Sequence, residues 1–189
     1  MTAKEALIGS TQELLWERGY VGTSPKAILL RAGAGQGSMY HHFSGKAELA
    51  LAAIERSTES LRQQFDRQLS IEGTAYDRIS GFLLRQRDIL RGCRIGRLAQ
   101  DPDIVDNATL REPIGALFET LKRRIAEVLE LGVARGEFKT PIDVVDTAAT
   151  IAAVLQGGYV LARAANSTEP FTRAINGVLA LLQAQLKSN

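Results

Sequence analysis

Residues 23–43 read TSPKAILLRAGAGQGSMYHHF, a pattern typical of two short helices joined by a glycine turn. Ser24 and Pro25 predict a helix start, because serine caps free N–H groups and proline fits the first helical turn. Gly33 permits the positive φ of a tight turn, and Gly35 can precede the next helix. That second, shorter helix ends in aromatic and imidazole side chains, so the stretch predicts a compact helix–turn–helix.

The charge around this motif favours a nucleic-acid partner. Residues 18–47 carry four cations and no acid (Arg18, Lys26, Arg31, Lys46). The net charge of the whole chain, +2, is too small to indicate such a partner by itself, so the local charge is the stronger signal. A small positive helix–turn–helix is suited to placing a helix in the major groove of double-stranded DNA.

Composition limits the other classes of protein. The chain has 189 residues, enough to bury a substantial core in one or two domains. We expect no apolar run to approach the ~20 residues that a membrane span needs, and the N-terminal sequence MTAKEALIGS lacks the apolar core of a signal peptide. The one cysteine cannot form an intrachain disulfide or a cysteine-based zinc cluster. These features favour a cytoplasmic protein without a membrane partner.

Apolar residues recur at helical spacing along the chain, which predicts an all-α fold. The N-terminal helix is followed by the two helices of the motif. Further helices are predicted over residues 46–69, 75–90, 107–135, 143–165 and 168–186, with a short one around residues 97–100. The last two long helices are more apolar than one small domain needs. This surplus over residues 143–186 indicates a homodimer interface of four helices, two from each chain. The alternative is that both helices only close the core of the monomer.

Residues 19–49, GYVGTSPKAILLRAGAGQGSMYHHFSGKAEL, resemble the DNA-binding domain of the TetR family of bacterial transcriptional repressors. The matching elements occur in order over the whole stretch: Gly19-Tyr20, Thr23-Ser24, Ile28, Ala32-Gly33, Gly37-Ser38, Tyr40-His41-His42-Phe43, Lys46 and Leu49. Residues 92–100, GCRIGRLAQ, resemble a small-molecule-responsive subgroup. The resemblance implies about nine helices, with a helix–turn–helix DNA-binding domain at 1–46 and a ligand-binding and dimerisation domain at 47–189.

The resemblance also implies which side chains meet DNA. Gln36 would contact base edges, Gly37 and Ser38 would allow close approach, and Tyr40 and His41 would reach phosphate or a thymine methyl. Thr23, Lys26 and Lys46 would position the domain on the DNA backbone. The family often has serine or threonine in place of Gly35 and lysine in place of Gln36. Glutamine can instead pair with adenine N6 and N7, so the operator sequence does not carry over.

Part of the aromatic end of the motif has a competing interpretation as packing, which we favour for His42 and Phe43. A metal site at His41-His42 is rejected, because adjacent helical residues point about 100° apart. No metal and no cofactor is expected.

The resemblance also implies a regulatory ligand that binds the C-terminal domain. Residues from several helices would surround the core of the C-terminal domain and line a mostly apolar cavity for a small hydrophobic effector. They are Phe65, Phe82, Gln86, Cys93, Ile95, Leu98, Phe118, Leu121, Gln156 and Tyr159. Each of them alone is more often plain core. Effector binding would favour a dimer whose reading helices no longer match the groove spacing, and DNA would be released.

Other functions compete with that of a ligand-responsive DNA-binding repressor. A redox- or electrophile-sensing role for Cys93, beside Arg91 and Arg94, competes with the simpler interpretation of a buried small residue. An enzyme is disfavoured, because no catalytic triad order, phosphate loop or metal-spaced cluster is present. The remaining alternative is a helical adaptor that binds protein partners through residues 143–186, without specific DNA binding.

Overall fold

The computed structural model describes residues 2–139 and 142–187. Within these ranges the fold is all-α, as predicted, with nine α-helices and one 3-10 turn at Leu98–Gln100. The helices are α1 (Ala3–Arg18), α2 (Pro25–Ala32), α3 (Gln36–His42), α4 (Lys46–Leu69), α5 (Ala75–Leu84), α6 (Pro102–Val105), α7 (Ala108–Ala134), α8 (Val144–Ala165) and α9 (Glu169–Ala184). Phe138 and Leu186 form an isolated antiparallel bridge.

The chain divides into two compact units. Unit 1 comprises residues 1–60 and 93–117, and unit 2 comprises residues 61–92 and 118–189. The helices α4 and α7 each continue from one unit into the other. The domain boundary predicted between residues 46 and 47 does not coincide with the boundaries of these two units. It stays a prediction.

Unit 1 is built around α1. The Thr2 hydroxyl accepts from the N–H of Glu5 at 3.2 Å and caps the start of this helix. One face of α1 is buried, and α2 and α3 both pack against the helix. The buried residues of that face are Leu7, Ile8, Thr11, Leu14 and Leu15. Burial of such a stripe is the main stabilisation of a short helix in water.

In unit 2 the helices α8 and α9 pack together, and α5 packs against α9. The Asp143 carboxylate caps the start of α8 by accepting from Val145 and Asp146 N–H groups at 3.0 and 2.9 Å. Large apolar side chains remain exposed on both α8 and α9: Val145, Val160, Leu161 and Leu181. The pair therefore retains apolar surface after it has packed.

The helix predicted over residues 75–90 ends at Leu84, six residues early. The Arg87 guanidinium donates to the carbonyls of Phe82 and Leu83 at 2.6 and 3.0 Å, and to the Tyr159 hydroxyl at 3.3 Å. These carbonyls would otherwise accept from the next turn of the helix. The side chain of Arg87 therefore satisfies the helix end in place of continued helix.

Two further features differ from the expectations. The short helix α6 begins at Pro102, between the helices predicted around residues 97–100 and over 107–135, because proline fits a first helical turn. By length and hydropathy alone, α8 is also long and apolar enough to cross a membrane, although no apolar run was expected to approach that length. However, α8 packs against α9, and buried residues recur along it from Ala148 to Ala162, as in a helix with one face in a core. The apolar length of α8 is therefore weak evidence for a membrane span.

Candidate nucleic-acid interface and effector region

The helix–turn–helix is held by a few fully buried side chains. The Ser24 hydroxyl accepts from the N–H of Ala27 at 3.2 Å and caps α2. Gly33 adopts a left-handed conformation, with φ of 61°, and ends that helix. Ile28 of α2 and Met39 of α3 are both 0% exposed. These contacts fix α3 as a two-turn helix with its other face open.

The open face of α3 carries most of the predicted DNA-contacting residues. Gln36, Gly37, Tyr40 and His41 are exposed, while Ser38 is half-buried. Tyr40 is 55% exposed, so it is not a core residue. The structure therefore brings the predicted base-reading side chains together on one surface.

Gly37 has no structural reason to be glycine within the described residues. A Cβ built on Gly37 would have no neighbouring atom within 4 Å, and its φ lies outside the left-handed region. Glycine costs a helix up to about 1 kcal/mol relative to alanine. The open space around Gly37 leaves room for another molecule to approach this part of α3 closely.

Thr23 has a different role from the predicted phosphate contact. Its side chain is only 1% exposed, and its hydroxyl donates to the Gly19 carbonyl at 2.7 Å. The hydroxyl proton is therefore already used inside the chain. Thr23 stabilises the turn between α1 and α2, which sets where α2 begins.

The cationic side chains of the motif differ in their exposure and in the groups that they contact. Lys26 is exposed. Arg31 forms a two-pronged ion pair with Glu17, at 2.7 and 2.8 Å, so much of its charge is neutralised. The Lys46 ammonium lies 3.9 Å from the centre of the Tyr20 ring. Burial lowers the pKa of Lys46, while the carboxylates of Asp103 and Asp101 act in the opposite direction.

The aromatic end of α3 divides as expected between packing and surface. Phe43 is 4% exposed, which confirms its packing role, and the half-buried His42 lies edge-on to it at 6.4 Å. In residues 2–139 and 142–187, no group of three or more His, Cys, Asp or Glu side chains is placed to hold a metal ion.

Asp101 is a site residue that the sequence analysis missed. One carboxylate oxygen accepts from the N–H groups of Tyr20 and Val21 at 2.7 and 3.0 Å. These two donors lie in the turn that precedes α2. The same part of unit 1 is held by Arg97, which donates to the Glu17 carbonyl, and by Arg94, 4.3 Å from the Trp16 ring centre. The segment around Asp101 thus positions the end of α1.

The predicted effector residues fall in both units. Cys93, Ile95 and Leu98 belong to unit 1. The other predicted residues belong to unit 2: Phe65, Phe82, Gln86, Phe118, Leu121, Gln156 and Tyr159. That all ten line one cavity stays a prediction. Gln86 lies in the segment after α5 rather than on a helix, because α5 ends early.

Within unit 2, part of this set forms an aromatic cluster around a cation. The rings of Phe65 and Phe82 meet edge-on at 5.7 Å, and those of Tyr159 and Phe171 lie 4.9 Å apart. The Arg87 guanidinium is 5.9 Å from the centre of the Phe82 ring and 5.5 Å from that of Phe171. Sequence spacing gave no signal for Arg87, because its partners lie on α5, α8 and α9.

Comparison with known proteins identifies this arrangement. Residues 7–53 match the family profile described as bacterial regulatory proteins, tetR family. Residues 77–178 match the tetracyclin repressor-like C-terminal domain. The chain belongs to the TetR family. It is therefore a transcriptional regulator with a helix–turn–helix DNA-binding domain, and not an enzyme.

Individual TetR-family proteins are similar over most of their length. The transcriptional regulator AcuR of Cereibacter sphaeroides is 30% identical over 149 residues, 75% of this chain and 67% of AcuR. A TetR regulator structure from Chloroflexus aurantiacus has a TM-score of 0.85 and 26% identity, covering 99% of this chain and 97% of that one. A cysteine mutant of the TetR-family regulator CifR, solved with a 26-base-pair operator, has a TM-score of 0.78 and 20% identity over 93% and 94% of the two chains.

Proposed function

We propose that this TetR-family regulator is a homodimeric repressor that binds a near-palindromic operator and is released by a small hydrophobic effector. The observation that carries the proposal is the open face of α3, where Gln36 and Tyr40 are exposed beside Gly37, at which an added Cβ would have open space. Such a face suits the major groove, with Gln36 on a base edge and Gly37 allowing close approach. Ser38 would also allow close approach, and Tyr40 and His41 would reach phosphate or a thymine methyl.

Backbone contacts would orient the helix. Lys26 is exposed and supplies a charge for phosphate, whereas Lys46 would act from the first turn of α4, where free N–H groups also attract anions. One such helix gives modest affinity. Two half-sites about one helical turn apart, or a multiple of it, would double the contacts in a symmetric dimer.

The dimer surface is proposed at residues 143–186. The support is the apolar area that α8 and α9 leave exposed after packing, with Val145 at 67% and Leu181 at 70%. Apolar surface of this kind is enriched in the cores of homodimer interfaces. Burial against a second copy would remove it from water.

The effector would act on the equilibrium between two dimer geometries. It would occupy a cavity lined by the predicted residues of unit 2 and bind more tightly to the state whose reading helices do not match the groove spacing. The aromatic cluster of unit 2 is consistent with a ligand of mainly apolar character. The protein would act in the bacterial cytoplasm, as members of this family do.

A mobility-shift titration of the full-length protein with DNA from upstream of its own gene tests this function. We expect one fragment to bind specifically, with a dimer as the bound species and a steep fall in affinity as salt rises. A screen of small apolar compounds should then yield one that releases the fragment. Absence of specific binding to any fragment would contradict the proposal and favour the adaptor interpretation.

Gly37→Ala is expected to separate folding from DNA binding. The free energy of unfolding should stay the same or rise by up to about 1 kcal/mol, because alanine favours helix and the site has room for a Cβ. Operator affinity should fall about fivefold, since an added methyl group crowds a close contact. Denaturant unfolding and the mobility shift measure the two effects. Unchanged operator affinity would show that Gly37 does not approach DNA.

A further inference from the structure

Leu30 has the largest exposed fraction, 84%, among the large apolar side chains of the described ranges. A single exposed leucine needs no explanation, because apolar atoms make up much of any protein surface. Leu30 differs in its position. It lies on α2 four residues after Lys26, so the two side chains share one face of that helix.

Leu30 also borders a surface depression of about 680 Å³ between α2 and α3. The lining includes apolar side chains from both helices, together with the polar side chains of Lys26 and Gln36. Among its apolar members are Pro25, Leu29, Leu30 and Tyr40. An apolar depression therefore lies directly beside the side chain proposed to read a base.

The chemistry of the DNA major groove indicates which group this depression binds. The 5-methyl group of thymine is the apolar group that base pairs present in the major groove. If Gln36 pairs with an adenine, that adenine belongs to an A·T base pair. A thymine therefore lies in the same base pair. The charge of the surroundings agrees, since Lys26 lines the same depression and residues 18–47 hold no acid.

We propose that Leu30 is a specificity-determining residue, which seats a thymine methyl in this depression at or next to the base pair read by Gln36. The inference rests on the proposed operator binding and deepens it. Leu30 would distinguish thymine from cytosine or uracil at one position of each half-site. The competing occupants of the depression are a second copy of the chain and an apolar protein partner.

Deoxyuridine supplies the test, because it pairs as thymine does and lacks only the methyl group. A preferred duplex is first selected from random sequences with the full-length protein, and each thymine is then replaced singly by deoxyuridine. We expect the wild-type protein to lose about fourfold in affinity at one position per half-site. Leu30→Ala should bind the thymine and deoxyuridine duplexes equally at that position, and Leu30→Met should restore part of the difference.

Leu84→Ala is the matched control, because Leu84 is also an exposed leucine, at 60%, but lies on α5 in unit 2. It should keep the wild-type deoxyuridine profile. Equal deoxyuridine sensitivity in wild type and Leu30→Ala would overturn the inference while leaving specific DNA binding intact. The same holds if Leu30→Ala changes the oligomeric state and not the thymine preference. If no duplex is selected at all, the proposed function and this inference both fail.

Discussion

Asp101→Ala is expected to lower the free energy of unfolding by about 3 kcal/mol. The substitution removes the acceptor for the N–H groups of Tyr20 and Val21, which lie at 2.7 and 3.0 Å from the carboxylate oxygen. A hydrogen bond to a charged group is worth about 1.5–3 kcal/mol, so two such bonds together contribute about 3–6 kcal/mol. Because the site is partly solvated, we expect the lower end of that range. Trp16, the one tryptophan of the chain, lies in unit 1 and reports its unfolding by fluorescence.

The turn held by Asp101 precedes α2, so its loss should also weaken operator binding. Asp103→Ala is the matched control, since Asp103 is a nearby exposed acid that contributes charge near Tyr20 and Lys46. Its removal should change the free energy of unfolding by no more than about 0.5 kcal/mol. Asp101→Asn keeps an acceptor without the charge, so its free energy of unfolding should lie between those of Asp101→Ala and Asp103→Ala. Equal stability of Asp101→Ala and Asp103→Ala would show that charge alone, and not the two hydrogen bonds, matters here.

Elements that depend on neighbouring residues were predictable. The bounds of α4, Lys46–Leu69, agree with the predicted range 46–69, and α3, Gln36–His42, is the short second helix predicted within residues 23–43. A glycine directly precedes each of them, Gly35 and Gly45, and the conformational effect of a glycine extends over only a few positions. The family likewise followed from local matches over residues 19–49.

Features that depend on distant residues were not predictable. The Arg87 side chain that satisfies the end of α5 also donates to the Tyr159 hydroxyl, 72 positions away. The acceptor for the turn at Tyr20 is Asp101, 81 positions away. In the sequence, Asp101-Pro102 reads only as the point before which the short helix predicted around residues 97–100 ends. No spacing rule links such pairs, because tertiary packing creates them.

The candidate site shows the same division. Exposure of Gln36 and Tyr40 follows from the helical period, once Met39 and Phe43 are placed in the core. Thr23 was misjudged because a threonine beside a helix start can donate inside or outside the chain, and only the fold shows Gly19 as its acceptor. The exposed Leu30 gave no signal in the sequence, since an apolar residue in a short helix is ordinarily assigned to the core.

Gln36→Ala is expected to reduce affinity for the selected operator about 30-fold. A side chain that pairs bidentately with one base contributes about 1–3 kcal/mol of discrimination, and a loss of ~2 kcal/mol corresponds to that factor. Gln36 is exposed at the start of α3, so folding should be unaffected. Titration by fluorescence anisotropy against the operator and against a duplex with the contacted A·T pair replaced by G·C measures the effect. The variant should bind these two duplexes almost equally.

Lys26→Ala separates base reading from charge. Lys26 lines the same depression as Gln36, and its loss should weaken binding to all duplexes by a similar factor and reduce the salt slope by about one. Gln36→Ala should leave the salt slope unchanged, because an amide releases no counterion. Gln36→Lys should move the preference towards guanine, whose O6 and N7 accept from lysine. If Gln36→Ala lost the same factor on every duplex, Gln36 would act on the DNA backbone, and the base reader would have to be sought elsewhere on the open face of α3.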